Sequence, residues 1–237
     1  MDDNNLPQKD LIKKIVGDAR GAVGIRLCAI GVDLGIFEDL AKNGPATSQE
    51  LADRMNLDER YLREWGLGMF SLGYLDFDKV SRKISLNKEF IPVLVEEGGK
   101  FSQKGLIEIL NSSLLPYHEL LNSFKNGGGI NYDKIDKGFW NGIDQTGCTR
   151  YRHFLVTDWV DKMPELKSRL ETGSVTFADF GCGSGRSTVE MAKKFPKSQF
   201  FGFDLFEPNI ERAKKIALDA GVKNNLKFMQ WDVSNPL

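Results

Sequence analysis

The sequence is poor in the residues that would commit it to a specialised class. Three cysteines in 237 residues (Cys28, Cys148 and Cys182) are too few and too far apart for a disulfide framework. They read as free thiols in a reducing compartment, so a cytoplasmic location is expected. No metal centre is expected. Neither sign of charge dominates: 32 Lys and Arg stand against 33 Asp and Glu, a net charge of −1. That balance excludes a global attraction to nucleic acid or to a membrane surface. No apolar run approaches the ~18–20 residues of a membrane span. The acidic, polar start MDDNNLPQKD lacks the basic and apolar regions of a signal peptide. Internal repeats and low-complexity tracts are missing too. What remains is ordinary globular material, 41% hydrophobic and 27% charged, which excludes disorder and collagen-like repetition.

Three zones differ in texture: residues 1–95, 96–172 and 173–237. In the first, Asp10 to Lys42 predicts helices. From Val23 onward apolar residues wrap most of the circumference, as in a helix buried in a domain or against a partner. Gly21, Gly24, Gly31 and Gly35 would permit close helix approach. A dimerisation helix and an ordinary core helix both fit, and a homodimer through these N-terminal helices is the preferred expectation. Asn43-Gly44-Pro45 breaks the chain. Thr47-Ser48-Gln49-Glu50 is a capping box, and Asp58 is an N-cap for a second helix. Tyr61, Leu62, Trp65, Met69 and Leu72 follow at helical spacing, and Gly73 closes that helix. Residues 74–77 and 83–86 predict two short strands around a polar turn. Helix, turn, helix and hairpin is the shape of a winged helix-turn-helix.

The second zone predicts helices around Leu106 to Leu115 and Phe154 to Val160. A glycine loop at 126–132 separates them. The zone as a whole holds both histidines and a dense aromatic set, a mixture that can line an apolar substrate pocket. His118, Tyr132, Trp140, Arg152 and His153 are the candidate pocket residues. A helical linker with a small core of its own is the plainer reading of the same residues.

The third zone alternates cleanly. Strands are predicted at 175–180, 199–204 and 226–233, with helices at 188–195 and from Pro208 to Ala220. Strand, helix, strand, helix, strand implies a parallel sheet with right-handed crossovers. The segment Asp179-Phe180-Gly181-Cys182-Gly183-Ser184-Gly185 follows a strand and opens a helix. Such a loop lets main chain approach a ligand closely and presents N–H groups at a helix start. Its spacing discriminates. A dinucleotide fingerprint needs G-x-G-x-x-G, whereas here Arg186 stands at the third glycine position and Gly185 comes one residue early. No G-K-[ST] follows, so a phosphate P-loop fails as well. Asp179 beside the loop would repel a pyrophosphate and suits a ligand carrying a cationic amino group. Asp204, ending the second strand, can bond both ribose hydroxyls. Asp232, in Trp231-Asp232-Val233 at the third strand end, can accept from the exocyclic amine of a base. Together they describe a nucleoside joined to a cationic amino acid.

D-F-G-C-G-S-G, then F-G-F-D, then Q-W-D-V resembles motif I and its two successors in class I S-adenosylmethionine-dependent methyltransferases. The resemblance covers roughly the last quarter of the chain. It implies that Asp179 and the main chain of Gly181, Cys182, Gly183 and Gly185 hold the methionine part of S-adenosylmethionine. It also implies that Asp204 binds the ribose, that Leu205 packs on the adenine, and that Asp232 with Val233 meets its amino group. The whole layout resembles small-molecule O-methyltransferases with an N-terminal winged-helix domain, in which the front domain dimerises. The expected fold is therefore α/β: a helical winged helix-turn-helix domain (1–95), a helical pocket region (96–172), and the first β-α-β-α-β half of a Rossmann-like sheet (173–237). The implied reaction is methyl transfer to oxygen or nitrogen of a small-molecule acceptor. A core of this type has further strands, so the chain is expected to be C-terminally truncated, and no general base can be named.

Two rival functions were weighed. A DNA-binding regulator should carry a basic recognition helix. Residues 58–72 offer Arg60 and Arg63 against Asp58, Glu59 and Glu64, and Gly66 and Gly68 loosen the helix. Nucleic acid is therefore not an expected partner. A cofactor-binding or dimerisation module without catalysis is the other alternative.

Overall fold

The computed structural model describes residues 7–131 and 134–234. The chain packs into two compact units, Met1–Ile143 and Asp144–Leu237. The boundary expected at 95/96 lies inside the first unit and that at 172/173 inside the second.

The first unit begins with α1 (Gln8–Asp33), α2 (Ile36–Asn43), α3 (Ser48–Met55) and α4 (Glu59–Leu72). The predicted capping box forms. Thr47 Oγ1 accepts from the Glu50 N–H at 3.2 Å, and Glu50 Oε2 accepts from the Thr47 N–H at 2.8 Å. Asp58 caps α4 through the Tyr61 N–H, and Gly73 ends it at φ 85°. A hairpin follows, β1 (Leu75–Phe77) antiparallel to β2 (Ile84–Leu86), and Ala46 adds a bridge to Ile84. The core gathers Phe37, Leu51, Leu62, Trp65, Met69, Leu75 and Leu94. Trp65 buries its ring and donates Nε1–H to the Leu27 carbonyl at 2.9 Å, which satisfies its one polar atom. Gly31 is what lets α1 pass so close: a Cβ there would sit 2.5 Å from Phe37 and 2.7 Å from Trp65.

One expectation needs correction here. Tyr61 is not on the buried face of α4; it is 78% exposed. Within a single chain α1 is covered on one side from Val23 onward: Cys28 and Ala29 are buried, whereas Val23 and Ile30 are exposed. Beyond a short wide-turn helix at Ile91–Val95 come α5 (Lys104–Ser113), α6 (Tyr117–Asn126) and α7 (Lys137–Arg150).

The second unit takes the end of α7, a wide-turn helix at Tyr151–Val160, and α8 (Pro164–Thr172). Then β3 (Thr176–Phe180), α9 (Arg186–Lys194), β4 (Gln199–Asp204), α10 (Glu207–Asp219) and β5 (Leu226–Gln230) alternate. The sheet order is β3-β4-β5, all parallel, as the alternation predicted. Phe200 and Phe228 point into two small cores, one with Leu170, Met191 and Phe195, the other with Val189, Ile210 and Ala213. Buried Asn225 serves the carbonyls of Ala192, Phe195 and Ser198 and so closes the end of α9. On alternate positions Phe180, Phe203 and Trp231 form an aromatic cluster, with Phe180 stacked on Phe203 at 5.2 Å.

The third strand is shorter than predicted. It ends at Gln230, and the next residues turn: Asp232 accepts from the N–H and hydroxyl of Ser234. That side-chain-to-main-chain turn competes with the ladder and stops it.

Candidate functional site

The glycine loop spans the gap between β3 and α9. Gly181, Gly183 and Gly185 all have positive φ (76°, 55° and 71°), a backbone that side chains resist. Their roles divide. A Cβ on Gly181 or Gly183 would meet nothing within 4 Å, so these two border open space. A Cβ on Gly185 would lie 2.4 Å from the Phe228 ring and 2.8 Å from Ala213, so this glycine packs helix against sheet. The loop is anchored by its own N–H groups: Gly181 and Cys182 donate to the Phe203 carbonyl at 2.8 and 2.9 Å.

Two carboxylates flank the loop. Asp204 Oδ2 accepts from the Gly183 N–H at 2.9 Å, while Oδ1 takes the Phe206 N–H and Asn209 Nδ2. Asp179 Oδ2 accepts from the hydroxyls of Ser187 (2.9 Å) and Thr188 (2.7 Å) at the start of α9. Among the described residues its other oxygen accepts from no donor. Asp179 therefore ties strand to helix through one oxygen. Between these acids sits Cys182, 9% exposed, its Sγ 3.0 Å from the Cβ position of Gly202. Burial first, then the charges of Asp179 and Asp204, push its thiol up to about 12. It is a packing residue held neutral. Leu205, Phe206 and Val233 leave apolar side chains about 60% exposed on the same strand-end edge. Asp232, beyond the end of β5, is held below the usual carboxylate range by Ser234.

A third carboxylate was not legible in the sequence. Asp144, in the part of α7 that belongs to the second unit, accepts from the Ser184 hydroxyl in the middle of the loop. It also pairs with Arg186 in a two-pronged bridge, Nε to Oδ1 and Nη2 to Oδ2, both 2.7 Å. Arg186 Nη1 reaches Cys148 Sγ at 3.5 Å. Burial alone would raise the Asp144 carboxyl, but the bonds from Arg186 and Ser184 outweigh it and hold it low. Nothing near residue 144 announces this, since the partners lie 40 and 42 positions away. Ser187, Thr188 and Asn209 were missed too, although hydroxyls directly behind a glycine loop are a readable signal for a strand-end carboxylate partner.

The candidate pocket residues are divided between the two units. His118, on α6, and Trp140, on α7, lie in the first unit; His118 is exposed and touches Tyr117 edge-on, and Trp140 meets Phe139 in the same way. Arg152 and His153 lie in the wide-turn helix of the second unit, and His153 offers its carbonyl to Thr157. Tyr132 lies outside the described residues. A cavity of about 570 Å³ in the first unit, lined among others by Leu40, Pro45, Asp76, Leu86 and Ile91, includes none of the four described candidates.

Comparison with known proteins gives two family matches. Residues 21–95 match the Rv2258c-like winged HTH domain. Residues 171–237 match a methyltransferase domain. The chain joins a winged helix-turn-helix domain to a methyltransferase domain.

Over 55 residues the chain aligns with an uncharacterized protein of Rickettsia prowazekii at 44% identity, 23% of this chain and 21% of that one. Among solved structures, a putative O-methyltransferase from Nostoc punctiforme superposes with a TM-score of 0.69 at 18% identity, over 95% of this chain and 66% of that one. Human N-acetylserotonin methyltransferase, solved with S-adenosylmethionine, gives a TM-score of 0.58 at 16% identity, over 98% and 68%. At these identities the likeness is one of fold. The chain spans about two thirds of those solved chains and about a fifth of the Rickettsia protein.

The observed donor set fits S-adenosylmethionine. Two glycines open onto free space, a strand-end carboxylate stands beside exposed apolar side chains, and an acid with one open oxygen lies at the loop. Among the described residues no helix is long and apolar enough to cross a membrane.

Proposed function

We propose that this chain binds S-adenosylmethionine in its methyltransferase domain and transfers the methyl group to oxygen or nitrogen of a small-molecule acceptor. One observation carries the reading: Gly181 and Gly183 border open space directly beside Asp204, at the carboxyl edge of a parallel sheet. That edge is where open α/β sheets take nucleosides. When bound, the cofactor supplies an electrophilic methyl carbon on a sulfonium. The residues do the holding. Asp179 offers its open oxygen to the amino group, Asp204 the ribose hydroxyls, and Leu205 with Val233 an apolar surface for the base. Asp232, engaged by Ser234 through Oδ1 alone, offers its other oxygen to the amino group of the base. Transfer then rests on bringing nucleophile and methyl together and excluding water.

Calorimetric titration of the chain with S-adenosylhomocysteine tests binding. Saturable heat in the wild type that is lost in Asp204→Ala supports the reading; no heat in the wild type ends it. Incubation with radiolabelled methyl donor and a small-metabolite pool then separates an enzyme from a binding module.

The winged-helix domain serves, in this reading, as a homodimerisation unit. The outward side of α1 carries Leu11, Ile12, Ile15, Val16 and Val23, all 48–68% exposed. Such a row needs a cover, and a second copy supplies one of matching chemistry. The α4 helix does not suit phosphates. Its Arg63 is paired with Glu59 at 3.1 Å, and Tyr61, Leu67 and Phe70 are exposed on it. Sedimentation of the wild type against Ile15→Asp should show a dimer converted to monomer, and a low-salt gel shift should show no duplex bound.

A further inference from the structure

The cofactor loop is not held by its own strand and helix alone. Its central residue, Ser184, lies between Gly183 and Gly185, two residues in the left-handed region. Such a segment has little intrinsic preference for one conformation. Its anchors at Gly181, Cys182 and Gly183 all run to β4. Ser184 and Arg186 instead run to Asp144 on a preceding helix, a half-buried carboxylate saturated by a hydroxyl and both prongs of a guanidinium. The loop is thus gripped from two sides, and the side facing α7 has a single carboxylate as its hub.

The geometry points to Asp144 as a positioning residue for cofactor binding, acting through Ser184 and Arg186. It fixes the Ser184 peptide and the start of α9, whose first-turn N–H groups have no intrahelical partners. Those N–H groups and the helix dipole together favour an anion. In the reading proposed above, on which this inference rests, that anion is the carboxylate of the cofactor's methionine part. Asp144 touches no ligand in this account. Charge supports the arrangement: a bare carboxylate here would repel the ligand's, and Arg186 neutralises it.

The test uses the full chain, with S-adenosylhomocysteine as the probe in calorimetry and circular dichroism to follow melting without ligand. Ser184→Ala keeps the Asp144–Arg186 pair and frees only the loop. It should weaken affinity roughly tenfold, as the loop loses its preorganisation, and lower the unliganded melting point by a few degrees, because the bond to Asp144 is already present without ligand. Ser184→Thr, which keeps the hydroxyl, should restore affinity. Asp144→Asn should weaken affinity at least as much. Ser184→Ala binding like the wild type would overturn the inference, as would a loss that Ser184→Thr does not rescue. A wild-type chain that binds no S-adenosylhomocysteine would instead sink the cofactor reading itself. A wild type that binds, with Asp204→Ala abolished and Ser184→Ala untouched, would leave that reading standing and remove only the role of Asp144.

Discussion

Gly183 donates its main-chain N–H to Asp204 Oδ2 at 2.9 Å, tying the loop after the first strand of the parallel sheet to the end of the second. The same carboxylate receives the Phe206 N–H and Asn209 Nδ2 on its other oxygen. Asp204 is therefore the knot that preassembles this edge, and in the reading proposed above it also faces the ligand.

This double role predicts a double cost. Asp204→Ala should weaken S-adenosylhomocysteine binding at least about tenfold and lower unfolding free energy by about 1–3 kcal/mol, because three donors lose their acceptor. Asp204→Asn keeps one acceptor oxygen and should lose less stability than Ala. Urea titrations of both variants check the order. Equal stabilities would mean that Asp204 is not a structural knot.

The glycines of the loop should separate by consequence. Gly185→Ala drives a methyl into the Phe228 ring and into Ala213 as well as straining φ at 71°. Overpacking plus left-handed strain puts the loss at about 2–4 kcal/mol. Gly181→Ala meets open space and carries only the strain, about 1–2 kcal/mol. It should nonetheless lose ligand affinity, since the new methyl occupies the space proposed for the cofactor. Denaturation midpoints and calorimetry on the pair read both effects.

Much of this was legible in the sequence because the signals are local. Thr47 and Glu50 lie three residues apart and cap each other as their types dictate. Gln199 to Asp204 forms the predicted strand residue for residue, since Pro196 and Phe206-Glu207-Pro208 punctuate both ends. The failures have different causes. Tyr61 has helical spacing with Leu62 and Trp65, but periodicity alone does not fix which edge of the apolar arc meets the core. The third strand stops at Gln230 because Ser234 turns the chain onto Asp232, a polar local bond that competes with the ladder. Asp144 carries no local mark at all: its partners, Ser184 and Arg186, lie in a segment that only tertiary packing brings to it. Likewise α7 runs from one compact unit into the other, and periodicity does not encode which core a helix joins.

Cys182 gives a pH-dependent signature. Its thiol, ordinarily ionising near 9, is pushed up to about 12 in the folded chain. A group with a raised folded pKa contributes stability that is fully present below its unfolded pKa. That contribution is lost as pH rises toward the folded value, because the unfolded chain releases the proton first. The window is therefore between about 9 and 12. Wild-type stability should fall more steeply across pH 9–11 than that of Cys182→Ala, measured by urea unfolding. Parallel slopes would show that the thiol is not held neutral. Below pH 9 the residue should also resist alkylation while the less buried Cys148 reacts, which mass spectrometry of the labelled chain resolves.

The helical glycines of α1 offer a contrast within one element. Gly31 lies where the helix crosses Phe37 and Trp65, and a Cβ there would stand 2.5 and 2.7 Å from their rings. Both rings are buried, and Trp65 is further pinned through its bond to the Leu27 carbonyl, so neither can swing aside freely. Gly31→Ala should destabilise by about 1–3 kcal/mol through overpacking. Gly21 lies in the same helix with nothing within 4 Å of its Cβ position. There alanine adds no clash and removes the conformational freedom of an exposed helical glycine, so Gly21→Ala should stabilise by about 0.5–1 kcal/mol. The two variants have the same chemistry and opposite predicted signs, which makes thermal melting decisive. A Gly31→Ala protein as stable as Gly21→Ala would mean that α1 does not pass against Phe37 and Trp65 as closely as this fold requires.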